Sequence, residues 1–285
     1  MRNATQRWLA LLASAVLAGA GLAPARAEPP RRIASLNLCT DQILLDLVPR
    51  DRIAGVSWVA SDTNVSPVAT NIGGLTLLRG SAEEVLALDP DLIIAGTFTT
   101  PATVDLLRRL GRRVELVPLA QDLAGIRAIL RQIATAVGEV ARGERLIGEL
   151  DARIAAVGPP PARPVTAIAY QVNSLVSGPG TLLDAAFAVA GIVNGADSRR
   201  LGRGGHLALE ALVADPPDLV VLAQAPETYR TAVADNLRHP ALIHLLAATP
   251  HLVLPMPLWL CGTPRIAEAV AMLVAARKAA ATRTK

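Results

Sequence analysis

Residues 122–157, DLAGIRAILRQIATAVGEVARGERLIGELDARIAAV, carry the hydrophobic pattern from which we predict how the chain is organised. Their apolar residues recur at steps of three and four, which is the spacing of one face of a helix. No proline interrupts the stretch, although Pro118 precedes it and three prolines follow at 159–161. Each of its glycines weakens a helix by roughly 1 kcal/mol relative to alanine. We therefore predict one continuous helix, roughly 50 Å long, that links two other parts of the chain.

An internal repeat stands on either side of this stretch. Residues 81–94, SAEEVLALDPDLII, align without a gap with residues 208–221, ALEALVADPPDLVV, so that Glu83 matches Glu210. Each copy combines a short amphipathic helix, a proline and an apolar, β-rich segment. The repeat predicts two similar α/β lobes, one before and one after the long helix. A chance likeness between two helix–strand units is the alternative.

Strands and helices alternate on both sides of the repeat. The predicted strands are 32–36, 53–56, 92–95 and 114–117 in the first lobe, and 165–170, 219–222 and 252–254 in the second. Such alternation is typical of parallel sheets, whose ligands bind beyond the carboxyl ends of the strands. We predict an α/β fold of two Rossmann-like lobes with mostly parallel sheets, 28–120 and 159–285, joined by one long backbone helix within 121–158.

Residues 1–27 have the three parts of an export signal. Arg2 and Arg7 precede an apolar core at 9–22, and Ala25-Arg26-Ala27 is a small-x-small cleavage site. This pattern predicts removal before Glu28 and a periplasmic location. A membrane anchor is the alternative, but the apolar run is short for a membrane span. No cysteine follows the apolar core, so we expect no lipid attachment there.

Charge and motifs limit the classes of function. The signal contains three of the 28 basic residues and no acid, which leaves 25 basic against 24 acidic residues, and no nucleic-acid surface is expected. The chain has no phosphate-binding glycine loop, no nucleophile elbow and no zinc-protease motif. An exported two-lobe enzyme is an alternative function, yet a Cys39–His206 pair would lie on different lobes without a third orienting group. A periplasmic sensor is another.

The order of these features resembles a known family. Its specific marks are Ile33-Ala34-Ser35-Leu36, the two repeat units, the Ser177-Gly178 turn and Thr263-Pro264-Arg265. Over nearly all of residues 31–280 the chain resembles the helical-backbone (class III) periplasmic solute-binding proteins of ABC importers. The resemblance implies a monomer without catalysis or a cofactor of its own. It also implies that the protein binds a metal chelate (a corrinoid such as vitamin B12, a ferric siderophore or haem) between its lobes.

Delivery in this family uses one exposed glutamate on each lobe. The resemblance places Glu83 and Glu210 at these positions, where they would bind arginines of the permease that works with its ATPase at the inner membrane. Two carboxylates on opposite lobes would give both orientation and charge-assisted hydrogen bonds. The alternative is that both glutamates simply suit the dipole near a helix start.

The resemblance also assigns a set of ligand contacts. They are Cys39, Trp58, Phe98, Tyr170, His206, Trp259 and Cys261. Trp58, Tyr170 and Trp259 are predicted to stack on a flat or apolar ligand, with core packing as the alternative for each. Tyr170 or His206 is a candidate axial ligand should the cargo be haem. No metal site of the protein itself is expected, because the four histidines do not occupy both lobes.

The two cysteines leave three interpretations open. Cys39 follows the first predicted strand and Cys261 lies in a late loop of the second lobe, so both are expected near the cleft. An oxidising periplasm favours a disulfide between them. Two independent thiols that bind a soft metal, or two buried inert residues, are the alternatives. The pair departs from the common pattern of the family.

Overall fold

The computed structural model describes residues 28–226 and 234–283. The predicted export signal at 1–27 lies outside the described residues and stays a prediction. None of the described helices combines the length and the apolar character needed to span a bilayer.

The first lobe is a five-stranded parallel sheet in the order β3-β2-β1-β4-β5. Its strands are β1 (Ile33–Ser35), β2 (Ile53–Ser57), β3 (Thr76–Leu78), β4 (Leu92–Gly96) and β5 (Val114–Val117). Its helices are α1 (Leu38–Leu47), α2 (Ala82–Ala87) and α3 (Pro101–Arg109). The central strands β1 and β4 are fully buried, which is why they form near-continuous apolar runs.

After two linking helices, α4 (Leu123–Val137) and α5 (Val140–Ala155), the second lobe is a four-stranded parallel sheet in the order β7-β6-β8-β9. Its strands are β6 (Val165–Ala169), β7 (Ile192–Asn194), β8 (Leu219–Leu222) and β9 (His251–Val253). Its helices are α6 (Leu182–Val189), α7 (Gly195–Ser198), α8 (Leu209–Ala214), α9 (Asp235–Arg238), α10 (Pro240–Ala248) and α11 (Ile266–Arg283). The prediction of two lobes with mostly parallel sheets is confirmed.

The prediction of one continuous linking helix is wrong. The stretch forms two helices, α4 (Leu123–Val137) and α5 (Val140–Ala155). Between them Gly138 has a φ of 79°, and this left-handed conformation ends α4. The apolar spacing runs through the break, because Val137 and Val140 are three residues apart, so periodicity alone gave no sign of it.

The two helices pack against each other as an antiparallel hairpin. Arg127 pairs with Asp151 at 2.6 Å and Arg131 with Glu144 at 2.7 Å. The pairing residue on α5 is thus nearer the start of that helix when the arginine is nearer the end of α4. Gly143 makes the close approach possible, because a Cβ atom there would lie 2.5 Å from the Cβ of Ala134.

The hairpin joins the lobes through a shared core. Helix α4 contacts α1 and β5 of the first lobe, whereas α5 contacts α11 of the second. One continuous cluster of buried apolar side chains includes residues of both lobes and of both hairpin helices. The lobes are therefore packed together at the hairpin, and the carboxyl ends of their strands carry the loops described next.

Candidate functional site

The turn from β1 into α1 forms part of the carboxyl edge of the first sheet. Asn37 caps α1 by accepting a hydrogen bond from the backbone N–H of Cys39 at 2.9 Å. The Oγ atom of Ser35 lies 2.7 Å from Oγ1 of Thr40. Gly96, at the end of β4, lies against Asn37, since a Cβ at position 96 would be 3.0 Å from Cγ of Asn37. The two strand ends thus meet closely.

A disulfide connects this turn to the second lobe. Cys39 and Cys261 are bonded, with their Cα atoms 5.1 Å apart and a sequence separation of 222. The interpretations as free thiols or inert residues are therefore wrong. Cys39 is the second residue of α1 and Cys261 lies in the loop before α11. The bond consequently links the lobes covalently at the edge where ligands are expected.

Further contacts between the lobes lie close to the disulfide. Nη1 and Nη2 of Arg265 donate to the carboxylate of Asp46 at 2.8 and 3.3 Å. Gly262 packs so closely on Ala120 that a Cβ on the glycine would lie 2.2 Å from the alanine Cβ. These contacts leave little space between the lobes beside the disulfide.

Two cavities with walls from both lobes open at the carboxyl ends of the strands. The small cavity, about 40 Å³, is mostly apolar and includes Cys39, Phe98, Leu119 and Gly262 in its lining. The larger cavity, about 370 Å³, lies between Thr63 and Asn64 of the first lobe and two chain segments of the second. Its second-lobe lining consists of Ala223, Gln224, Ala225, Val253, Pro255, Met256 and Pro257. We call the whole region between the lobes the cleft.

Three of the predicted aromatic and apolar contacts retain exposed surface. Phe98 is 80% exposed at the small cavity, and Trp58 is 49% exposed on the turn after β2. Trp259 is partly buried on the shared core, where its Nε1–H donates to the backbone oxygen of Leu254 at 3.1 Å. Phe98 lines the small cavity, whereas Trp58 and Trp259 line neither cavity. Trp58 and Phe98 offer the larger free faces for stacking on a ligand.

Tyr170 does not line the cleft, so its prediction as a ligand contact is wrong in this structure. Its side chain is fully buried in the core of the second lobe. Its hydroxyl lies 2.9 Å from Oγ of Ser174. The residue follows β6 directly, and the sequence alone gave no way to decide which side of the sheet it faces.

His206 is exposed but lines neither of the two cavities. Its Nδ1 lies 3.0 Å from the backbone oxygen of Asn173. Among the described residues, no three His, Cys, Asp or Glu side chains come together as a metal site. The candidates for an axial haem ligand are thus one buried residue and one residue outside the cavities.

Asp41 is the site residue that sequence reasoning missed. It is fully buried, and both carboxylate oxygens accept from the backbone N–H of Ser57 at 3.2 Å. The hydroxyl of Ser57 also donates to Asp41. Burial raises the pKa of Asp41 to about 7, against the lowering effect of its hydrogen bonds with Ser35 and Ser57. Since Ser57 directly precedes Trp58, this carboxyl holds the start of the Trp58 turn.

Glu83 and Glu210 occupy equivalent places on the two lobes. Glu83 lies in the first turn of α2, which Ser81 caps, and Glu210 lies in the first turn of α8. Both are exposed, and neither carboxylate forms an ion pair or hydrogen bond with another described residue. Glu84, by contrast, accepts from the backbone N–H of Arg79 at 2.8 Å. The two matched glutamates are therefore open to an outside partner.

Comparison with known proteins assigns the chain to a family. The model of that family, described as periplasmic binding protein, matches residues 33–253. The chain belongs to the periplasmic binding protein family. Two curated relatives from strains of Halobacterium salinarum, each called a cobalamin-binding protein, are 29% identical to it over 199 residues. The aligned segment covers 67% of this chain and 53% of each relative, so it spans about half the length of those proteins.

Solved structures of the family superpose on nearly the whole chain. The apo form of the periplasmic haem-binding protein RhuT from Roseiflexus sp. RS-1 has a TM-score of 0.71 and 26% identity, covering 88% of this chain and 99% of its own. The vitamin B12 binding protein BtuF of Vibrio cholerae has a TM-score of 0.66 and 18% identity, covering 89% and 98%. At that lower identity, the likeness to BtuF concerns the fold alone.

Proposed function

We propose that this protein is the solute-binding component of an ABC importer, and that it captures a metal chelate in the cleft. The observation that carries the proposal is the cleft itself, which opens between the carboxyl ends of two parallel sheets in a chain of the periplasmic binding protein family. Parallel sheets bind ligands at this edge. Binding requires no catalyst, and the relatives and structural neighbours are binding proteins, which supports this reading over an exported enzyme.

Among chelates, a corrinoid is the first candidate. The curated relatives are called cobalamin-binding proteins. A chelate whose metal is already coordinated needs shape and stacking from its carrier, and Trp58 and Phe98 offer exposed aromatic faces. The described cavities contain neither Tyr170 nor His206, the axial ligands expected for haem.

Haem is the second candidate. The observation that favours it is the RhuT structure, a haem-binding protein with 26% identity to this chain. Met256 lines the larger cavity, and a thioether is one of the axial ligands that haem iron accepts. A spectrum of the complex separates the cases, because ligation by methionine changes the haem absorption whereas cobalamin brings its own bands.

Titration of residues 28–285 with cyanocobalamin, haemin and a ferric siderophore tests the proposal. Trp58 and Trp259 are the tryptophans of this segment, so quenching of their fluorescence reports binding. We expect cyanocobalamin to quench at a one-to-one ratio, and Trp58→Ala to weaken binding by roughly fivefold, since stacking on one aromatic contributes about 1 kcal/mol.

The control for this titration is residues 28–285 with the substitution Trp259→Phe. This segment lacks Trp8, so the fluorescence of the variant comes from Trp58. It should retain the quenching seen in the parent protein. If none of the three chelates binds, the proposed cargo class is wrong, and if haemin alone binds, haem replaces the corrinoid.

Delivery is proposed to run through Glu83 and Glu210. The support is their matched placement on the two lobes, their exposure and their lack of partners among the described residues. Exposed charges at the rim of an interface set orientation and the rate of encounter more than cargo affinity. The permease, with its ATPase, would supply the complementary arginines. A sensor with the same fold would have no need of this pair.

A further inference from the structure

One face of α1 follows the boundary between the lobes. Cys39, Gln42 and Asp46 are spaced by three and four residues, so they lie on one side of this helix. The first and last of them are joined to the second lobe, by the disulfide to Cys261 and by the ion pair to Arg265. The lobes are thus connected at two points along about 10 Å of helix.

The middle of this boundary contains polar side chains that lack hydrogen-bond partners among the described residues. Gln42 and Thr263 lie, in sequence, between the two connected pairs, and both side chains are fully buried. Nε2 and Oε1 of Gln42 and Oγ1 of Thr263 have no hydrogen-bond partner among the described residues. A buried polar group without a partner is destabilising. Separation of the lobes would expose these atoms to water. The free-energy cost of burying them therefore favours separation at this part of the boundary.

The ion pair is a weak restraint against that opening. Its side chains are about a quarter exposed, at 24% for Arg265 and 26% for Asp46, and solvent weakens such pairs. A disulfide, in contrast, keeps two Cα atoms within a narrow range of distance whatever the solvent does. Lobes that share a chain ordinarily move relative to one another, and binding proteins commonly close around their ligands in this way.

We propose that the Cys39–Cys261 disulfide is a clamp that fixes the relative orientation of the lobes and so sets the shape of the cleft before any cargo arrives. The bond also belongs to the cleft, because Cys39 lines the small cavity beside Gly262. Cargo then enters a cleft of constant width. The inference concerns the protein without cargo, so it stands or falls separately from the proposed function.

A distance measurement between the lobes tests the clamp. Spin labels carried on non-cysteine amino acids replace exposed Arg109 in α3 and exposed Ala247 in α10. We expect one narrow distance in the disulfide-bonded protein, and a shift to a broader distribution in Cys39→Ser/Cys261→Ser. Equal distributions in the two proteins would overturn the proposal, as would two titratable thiols in the unreduced, denatured parent protein.

The Asp46→Asn variant is the matched control. It removes the ion pair with Arg265 and keeps the disulfide, so its distance distribution should stay as narrow as that of the parent protein. Broadening in this variant would mean that the ion pair holds the lobes, and the clamp would be wrong. This arm keeps the test decisive if the serine variant does not fold.

Discussion

Asp41 is the residue whose chemistry departs most from that of a free side chain. Its carboxyl is buried beneath the turn that carries Trp58, and its hydrogen bonds to Ser57 only partly offset the loss of water. Its pKa of about 7 lies far above the ordinary value of 3.8. Between these two values the folded protein keeps a proton that the unfolded chain has lost. The contribution of Asp41 to stability is therefore present at low pH and is lost as pH rises through its folded pKa.

We expect Asp41→Asn to remove this pH dependence. An amide keeps an acceptor for Ser57 but does not ionise. The free energy of unfolding of the parent protein should fall, relative to the variant, by at most roughly 4 kcal/mol between about pH 4 and about pH 8. Urea unfolding across this range measures the difference. Parallel curves for the two proteins would show that Asp41 ionises in the folded state as it does in water.

The hairpin of α4 and α5 depends on a glycine for its packing. Gly143 lies where the helices cross, and a Cβ there would meet Ala134 at 2.5 Å. Gly148 lies on the exposed side of α5 with no atom within 4 Å of such a Cβ. The two glycines therefore form a matched pair in the same helix, one in a contact and the other free.

Gly143→Ala should destabilise the protein by about 1–3 kcal/mol, because the added methyl forces the helices apart. Gly148→Ala should stabilise it by roughly 0.5–1 kcal/mol through helix propensity. Thermal or urea unfolding of both variants measures the two effects. Stabilisation by both substitutions would contradict the hairpin and would favour the continuous helix that the sequence pattern suggests.

The elements that the sequence predicted well are those buried on both sides. The strands β4 and β8 are apolar throughout, and each begins within its copy of the internal repeat. The strands β3 and β7 escaped prediction, because each is a three-residue edge strand with exposed positions, such as Leu77 and Val193. The break at Gly138 escaped because both hairpin helices bury one face each, so the apolar spacing continues across it.

The sequence predicted which loops meet at the site, because the topology of parallel sheets places them at one edge. It did not predict which side chains face the cleft. The carboxyl ends of parallel strands brought Cys39 and Phe98 to one cavity as expected. Which way a side chain turns at a strand end is decided by packing, and for this reason Tyr170 was wrongly assigned to the cleft. The pairing of Cys39 with Cys261 depends on the angle between the lobes, which no local pattern encodes.

The whole molecule presents two like carboxylates on two lobes that share one core. The shared core and the disulfide connect the two lobes that carry Glu83 and Glu210. A rigid pair of charges can match two fixed arginines on a permease without the entropic cost of ordering mobile groups. This is the physical basis for assigning delivery to these residues.

Reversal of both charges tests this assignment. Glu83→Lys/Glu210→Lys should abolish uptake of the cargo and leave its binding affinity unchanged, since both residues lie outside the described cavities. Asp105→Lys/Glu149→Lys is the control, because it makes the same change in net charge at two other exposed positions. Growth on the chelate as sole source and a binding titration give the two readouts. Equal loss of uptake in both double variants would indicate a general charge effect instead of docking.

The proposed function requires that the cleft between the lobes carries one chelate per chain. Native mass spectrometry of protein isolated from its own periplasm, with an absorption spectrum of the same sample, measures this most directly. We expect a complex of one chain with one metal chelate, foremost a corrinoid, whose mass and visible bands identify it. We also expect that species to be lost in Trp58→Ala/Phe98→Ala. A chain that is found without cargo and that gains none when mixed with cyanocobalamin, haemin or a ferric siderophore would contradict it.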